Sequence, residues 1–140
     1  MTDSETRVVE PLAKFHAKVY VKGRIRIINN EREFLELTDG DIVKLIIRTL
    51  DEEKKPVARA YFEGMLVSGG NVTIPKDLIQ KLNIKKGDMI EVLLVGYTKL
   101  NEIIPEEHYR LLKQFKYGKF KLITADEEKQ LLENITSILY

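Results

Sequence analysis

The chain has 140 residues, 44% hydrophobic and 32% charged, with a formal net charge of +1 and no cysteine. That suffices for one ordinary domain or two small intimate ones around a core, and it excludes disulfides, thiolate chemistry and cysteine-ligated zinc. No apolar run approaches the ~20 residues of a membrane-spanning helix, and the polar, acidic start Met1–Arg7 does not resemble a signal peptide, so a soluble cytoplasmic protein is expected.

Residues 1–12 read as a flexible arm; residues 1–11 carry one basic and three acidic side chains. Phe15–Val21 alternates apolar residues with lysine and predicts a strand. Lys22-Gly23 makes a tight turn, since glycine tolerates positive φ. Arg24–Ile28 alternates again, with Ile25 and Ile27 inward and Arg24 and Arg26 outward. A short helix is expected over Asn30–Glu36, capped by Asn29 or Asn30, with Glu31 and Glu33 at its positive end. It either packs through Phe34, Leu35 and Leu37 or stays exposed to a partner. Thr38–Asp41 is a turn and Ile42–Leu50 a strongly aliphatic strand. Asp51–Pro56 is a charged hairpin loop, and Val57–Val67 returns as a long strand that Gly64 bends.

The order then recurs. Gly69-Gly70 turns, Asn71–Ile74 is extended, and Pro75 opens a helix over Lys76–Leu82, where its missing N–H costs nothing. Leu78, Ile79 and Leu82 lie on one face of that helix. Lys85–Asp88 turns into the strand Met89–Val95. Beyond Thr98, Pro105–Tyr117 predicts a helix ended by Gly118, and Lys119–Thr124 is extended. Thr124–Glu127 forms a capping box. The helix it opens carries Leu131, Leu132, Ile135, Ile138 and Leu139 along one stripe. That stripe packs on the body of the protein, or it forms a dimer seam or partner-binding face.

The recurrence is a repeat with a 47-residue period. Over Ala13–Ile47 against Ala60–Leu94, without a gap, seven pairs are identical: Ala13/Ala60, Phe15/Phe62, Gly23/Gly70, Ile27/Ile74, Leu35/Leu82, Gly40/Gly87 and Asp41/Asp88. Chance would give roughly two. Repeat one spans 13–56, repeat two 57–97, and 98–140 is an appendage. The two copies differ where Leu78 and Ile79 replace Glu31 and Arg32, so the first helix lacks half the apolar face of the second.

Gly-x-[Ile/Val]-x-Ile-Pro, a short helix, then Gly-Asp and an aliphatic strand is a pattern that resembles the AbrB/MazE/SpoVT swapped-hairpin family. Repeat two has it in full, in Gly70–Pro75, Lys76–Leu82 and Ile84–Asp88; in repeat one Ile28 replaces the proline. The resemblance covers about 13–97 and implies a mainly β protein with short helices (α+β), a swapped-hairpin β-barrel from two tandem repeats; the C-terminal helical appendage lies outside it and is expected from its own residue pattern. Most family members assemble the barrel from two chains, whereas the MraZ branch, like this sequence, has two copies in one. The resemblance further implies double-stranded DNA as partner and a role as transcriptional regulator, expected to act as a homodimer because only one repeat is basic; the alternative is a protein-interaction module, such as an antitoxin or scaffold whose C-terminal helix binds a partner protein.

The charge pattern agrees for one repeat. Residues 12–50 carry eight basic and five acidic residues, the only basic excess in the chain. Lys18, Lys22, Arg24 and Arg26 lie at even spacing, so on a hairpin they share a face opposite Val19, Val21, Ile25 and Ile27. A cationic ribbon can neutralise phosphates, and arginine can pair with a guanine edge. The plainer reading is that an outer strand face must be polar. Arg32 and Lys76 are secondary candidates for phosphate contact. Repeat two has Met65, Gly69, Asn71 and Thr73 at the four equivalent positions, so one chain presents one basic arm.

Catalytic and cofactor chemistry is not expected. His16 and His108 stand alone, Glu106 and Glu107 suit the first turn of a helix, and Gly69–Asn71 is not followed by the Gly-Lys-Ser/Thr of a phosphate loop. Gly40-Asp41 and Gly87-Asp88 are turns in which aspartate bonds backbone N–H groups. There is no nucleophile–base pair.

Overall fold

A computed structural model describes residues 11–100 and 120–139. Along the chain these form β1 (Ala13–Lys18), a 3-10 turn (Val21–Gly23), β2 (Arg24–Arg26), α1 (Asn29–Phe34), β3 (Ile42–Leu50), β4 (Pro56–Met65), β5 (Asn71–Thr73), α2 (Lys76–Lys81), β6 (Met89–Thr98), β7 (Phe120–Ile123) and α3 (Ala125–Leu139). The predicted arm 1–12 (but for its last two residues) and the predicted helix Pro105–Tyr117 lie outside the described residues.

Antiparallel pairing builds a five-stranded sheet in the order β1-β6-β3-β4-β7 and a separate two-stranded ribbon, β2-β5. The fold is mainly β with short helices, of the swapped-hairpin kind. Each half's first strand pairs with the other half's last: β1 with β6, and β4 with β3. The registers are equivalent under the 47-residue shift. Phe15 faces Val92 and Phe62 faces Leu45; Ala13 faces Leu94 and Ala60 faces Ile47. In the ribbon Ile25 faces Val72, its own counterpart. Loop bonds obey the same relation: Val19 N–H donates to Asp88 O and Leu66 N–H to Asp41 O, both at 2.9 Å.

Burial explains why the strands read differently. β1 is covered on one face and alternates buried with exposed residues throughout. β3 and β6 run through the middle of the sheet and are buried on both faces, which a continuous aliphatic run satisfies. The inner face packs Phe15, Leu45, Phe62 and Val92 against Ile25, Ile27, Val72 and Ile74 of the ribbon segment, and against Leu78 of α2. The outer face packs Ile46, Leu93 and Val95 against Ile123 of β7 and Leu132 of α3. The Thr124 capping box forms: Glu127 N–H donates to Thr124 Oγ1 at 3.1 Å, and Thr124 N–H to Glu127 Oε1 at 3.2 Å.

Three expectations need correction. Lys18–Arg26 is not a paired hairpin, because β1 and β2 belong to different sheets. Val21 is in the turn and half exposed, not inward; Tyr20 N–H donates to Arg24 O at 2.8 Å and closes the chain before alternation can continue. Neither Asn29 nor Asn30 caps α1. The capping position falls to Ile28, with no side-chain bond, and Asn29 Oδ1 instead accepts from Arg32. The helix itself buries no residue: Leu35 and Leu37, just beyond it, pack on the core, while Phe34 is 80% exposed.

Candidate nucleic-acid interface

The ribbon places the arginines. Alternation sends Ile25 and Val72 into the core, both fully buried, so Arg24 and Arg26 must face out. Register sets Arg24 beside Thr73 and Arg26 beside Asn71. The outer surface of the ribbon is therefore two guanidinium groups flanked by a hydroxyl and an amide.

Lys22 is displayed by the turn that precedes the ribbon. Lys22 and Gly23 both take positive φ, 62° and 72°. Gly23 O accepts the Ile74 N–H at 2.9 Å, which ties the turn to the start of α2. A Cβ on Gly23 would stand 3.3 Å from Ile74 O and from the Ile79 side chain, so this close approach favours glycine as well as the φ. Between turn and helix lies a groove of ≈ 430 Å³, floored by Val19, Ile79 and Ile84 and rimmed by Tyr20, Lys22, Lys76 and Lys86.

The structure thus brings Lys22 and Lys76 together and adds Tyr20 and Lys86, which sequence reasoning missed. Lys18 is exposed at the end of β1, opposite Met89. Lys18, Lys22, Arg24, Arg26 and Lys76 are all exposed, and among the described residues none meets a carboxylate. Arg32 differs. Its Nε donates to Ile27 O at 3.0 Å and its terminal nitrogen to Asn29 Oδ1. The guanidinium lies over Gly70, where a Cβ would come within 2.5 Å of Nε. It braces the loop rather than projecting from it. Its repeat counterpart Ile79 lies over Gly23, so an arginine at an apolar repeat position was the available signal.

A second charged constellation ties α3 to the sheet. Arg48 donates from Nε and a terminal nitrogen to the two oxygens of Glu128, each at 2.7 Å, and from its other terminal nitrogen to Glu91 at 2.5 Å. Arg59 Nε adds a bond to Glu128 at 3.2 Å, and His16 approaches Glu91 at 3.5 Å. The Glu128 bonds, against the opposing pull of burial, hold the Arg48 guanidinium even more firmly charged, with Glu91 adding to the effect. Arg48 is thus the centre of an ion-pair network that joins β3, β6 and α3. Leu132, one turn further along α3, is buried in the outer core and Leu131 is half-buried; the side chains of Ile135, Ile138 and Leu139 lie outside the described ones. Among the described residues no group of His, Asp or Glu could hold a metal ion, and no helix is long and apolar enough to cross a membrane. His108, Glu106 and Glu107 lie outside them.

Residues 70–105 match the MazE antitoxin family, described as antidote–toxin recognition MazE, bacterial antitoxin. No curated protein matches the chain. The solution structure of PHS018 from Pyrococcus horikoshii is 39% identical, with a TM-score of 0.59; the match covers 64% of this chain and 96% of that one. The chain belongs to the same family as PHS018, and its residues 70–105 are similar to the MazE antitoxin family of the AbrB/MazE-like superfamily.

Proposed function

We propose that the protein is a DNA-binding transcriptional regulator of the AbrB-like type, built from two tandem copies, 13–56 and 57–97, folded on each other within one chain. The observation that carries this reading is the set of exposed cations without acidic partners at one end of the molecule: Arg24 and Arg26 on the ribbon, Lys22 and Lys76 at the groove beside it, and Lys18 at the end of β1. Among the described residues Lys14, Arg48, Lys55, Arg59, Lys99 and Lys121 are paired with acids, while the exposed Lys54, Lys81, Lys85 and Lys129, like the ribbon cations, meet none. Unpaired cations cost the fold nothing when a polyanion binds. Arginine on an outward ribbon can pair with a base edge, while the lysines hold phosphates. Arg32 acts at one remove, holding the loop beside the ribbon. Because each chain presents one basic arm, two chains cooperate on a duplex as a homodimer.

Fluorescence anisotropy with duplex DNA at several salt concentrations tests the reading. If the five cations of each of the two chains neutralise one phosphate apiece, log Kobs falls against log salt with a slope of roughly −9, and Arg24→Ala/Arg26→Ala lowers its magnitude by roughly 4. Absence of binding at low salt rejects it. A mass measurement in solution checks the dimer.

The match to an antitoxin family favours a second reading, in which the protein is an interaction module that binds a partner protein through its C-terminal helix. With Leu132 packed into the outer core, Ile135, Ile138 and Leu139 are the residues of the stripe that this reading needs. Copurification of a partner, abolished by truncation after Asn134, would support it over the first.

A further inference from the structure

One corner of the repeated unit is closed in the first half and open in the second. In the first half Thr38 N–H donates to Asp41 Oδ2 at 2.9 Å. Lys99 Nζ reaches the same oxygen at 2.5 Å and also bonds the Glu36 carbonyl. Leu100 N–H donates to Asp41 Oδ1 at 2.8 Å. The Leu100 side chain lies against Gly40, where a Cβ would stand 2.8 Å from Leu100 Cδ2. Lysine and leucine together cover the corner: Asp41 is 0% exposed and the next residue, Ile42, 3%.

The second half builds the same corner. Lys85 N–H donates to Asp88 Oδ2 at 2.8 Å. Asn83 repeats the left-handed conformation of Glu36, and Gly87 the φ of 94° at Gly40. Yet a Cβ on Gly87 would meet nothing within 4 Å. Asp88 is exposed, and Met89 is 53% exposed where its counterpart Ile42 is buried. Among the described residues no donor reaches Asp88 Oδ1 or the Asn83 carbonyl.

Strand length causes the difference. β6 runs on to Thr98, which pairs with Ile42, and so delivers Lys99 and Leu100 to Asp41. β3 last pairs with β6 at Arg48–Glu91 and then turns away through a bulge at Thr49/Leu50. The residues 47 positions before Lys99 and Leu100 are Glu52 and Glu53, whose charge is wrong for Asp88. A groove of ≈ 380 Å³ remains, with Asp88 and Asn83 at its polar side and Leu50, Val57, Leu82 and Met89 at its apolar side.

We propose that this open corner is a docking site for a lysine–leucine segment of a partner protein, seated as Lys99–Leu100 is seated in the first half. The partner's ammonium meets Asp88 and the Asn83 carbonyl. The N–H of the residue that follows meets Asp88 Oδ1, and its aliphatic side chain covers Gly87 and Met89. The occupant's chemistry is read from the protein's own filled corner, and docking needs no DNA.

The probe is a blocked peptide copying Gly96–Leu100, titrated into the full chain labelled with 15N. Saturable shifts are expected at Lys85, Gly87, Asp88 and Met89, with half-saturation at roughly a millimolar or below. Norleucine in place of the peptide's lysine leaves the protein untouched and weakens binding about fivefold or more. Asp88→Asn keeps an acceptor for Lys85 N–H, removes the charge and has the same effect. The proposal is overturned by unsaturated shifts at several times that concentration, by equal binding of the norleucine peptide, or by shifts confined to Thr38–Asp41, which would mean displacement of the resident segment.

Discussion

The two halves share a backbone to a fine level and differ in what they place on it. Helices α1 and α2 begin and end 47 residues apart, at Asn29 and Phe34 and at Lys76 and Lys81. Both are followed by a left-handed residue, Glu36 or Asn83. Yet α2 anchors on a fully buried Leu78, while α1 has Glu31 at that position and buries nothing. Arg32 covers Gly70 in one half; Ile79 covers Gly23 in the other. Backbone hydrogen bonds, together with glycine and aspartate at the turns, are enough to hold the shape. The remaining side chains are then free to specialise, so the first half can carry the cationic arm while the second supplies apolar anchorage.

The sharpest way to break the equivalence is at the two aspartates. Asp41→Ala removes a fully buried carboxylate and strands Lys99 and two N–H donors, at a cost of about 3 kcal/mol or more in urea unfolding. Asp88→Ala removes an exposed turn bond and costs about 1 kcal/mol or less. Burial alone would raise the Asp41 pKa, but the bonds from Lys99, Thr38 and Leu100 outweigh it, and the net shift is downward. A lowered folded pKa means that the contribution is fully present above the unfolded value, near 3.9. It is lost as pH falls through the folded one. The stability gap between the native chain and Asp41→Asn should thus be flat from neutral pH to about 5 and shrink below about 4. A gap that widens in acid contradicts the assignment.

The helices give the next contrast. Leu78→Ala empties a buried site and should cost about 3 kcal/mol; Glu31→Ala, on the equivalent but unburied face, should stay within about 0.5 kcal/mol. Equal effects would mean that α1 is anchored as firmly as α2.

Much of this was legible in the sequence. Gly23/Gly70, Gly40/Gly87 and Asp41/Asp88 mark turns that the backbone demands, so both halves were placed in register from identity alone. Ile42–Leu50 and Met89–Val95 read as strands because a strand buried on both faces is aliphatic throughout. Pairing was legible only through the family resemblance, not from periodicity. Nothing in Phe15–Lys18 says whether its partner is the next strand or β6, since alternation specifies a face but not a neighbour. Arg48 and Glu128 are 80 residues apart, and local periodicity has no access to such a contact. Among the site residues, Arg24 and Arg26 followed from alternation around Ile25. Lys86 and Tyr20 did not, because the groove exists only once the turn and α2 pack together.

The smallest contrast tests how strictly the inner face obeys the repeat. Ala17 and Gly64 are counterparts. A Cβ on Gly64 would lie 2.5 Å from Val72 Cγ2, and Val72 is fully buried and, being β-branched, stiff at χ1. Gly64→Ala must therefore shift the ribbon or the sheet, at about 1–2 kcal/mol, despite the better strand propensity of alanine. Ala17→Gly has the opposite balance: no clash arises, but a buried methyl is lost and the unfolded chain gains freedom, for about 1 kcal/mol. The double change Ala17→Gly/Gly64→Ala exchanges the two residues between halves. If the halves were interchangeable on this face, the exchange would be neutral. Because the tight approach belongs to Gly64 and Val72 alone, the two costs should add to within about 0.5 kcal/mol, as measured by urea unfolding of all four chains.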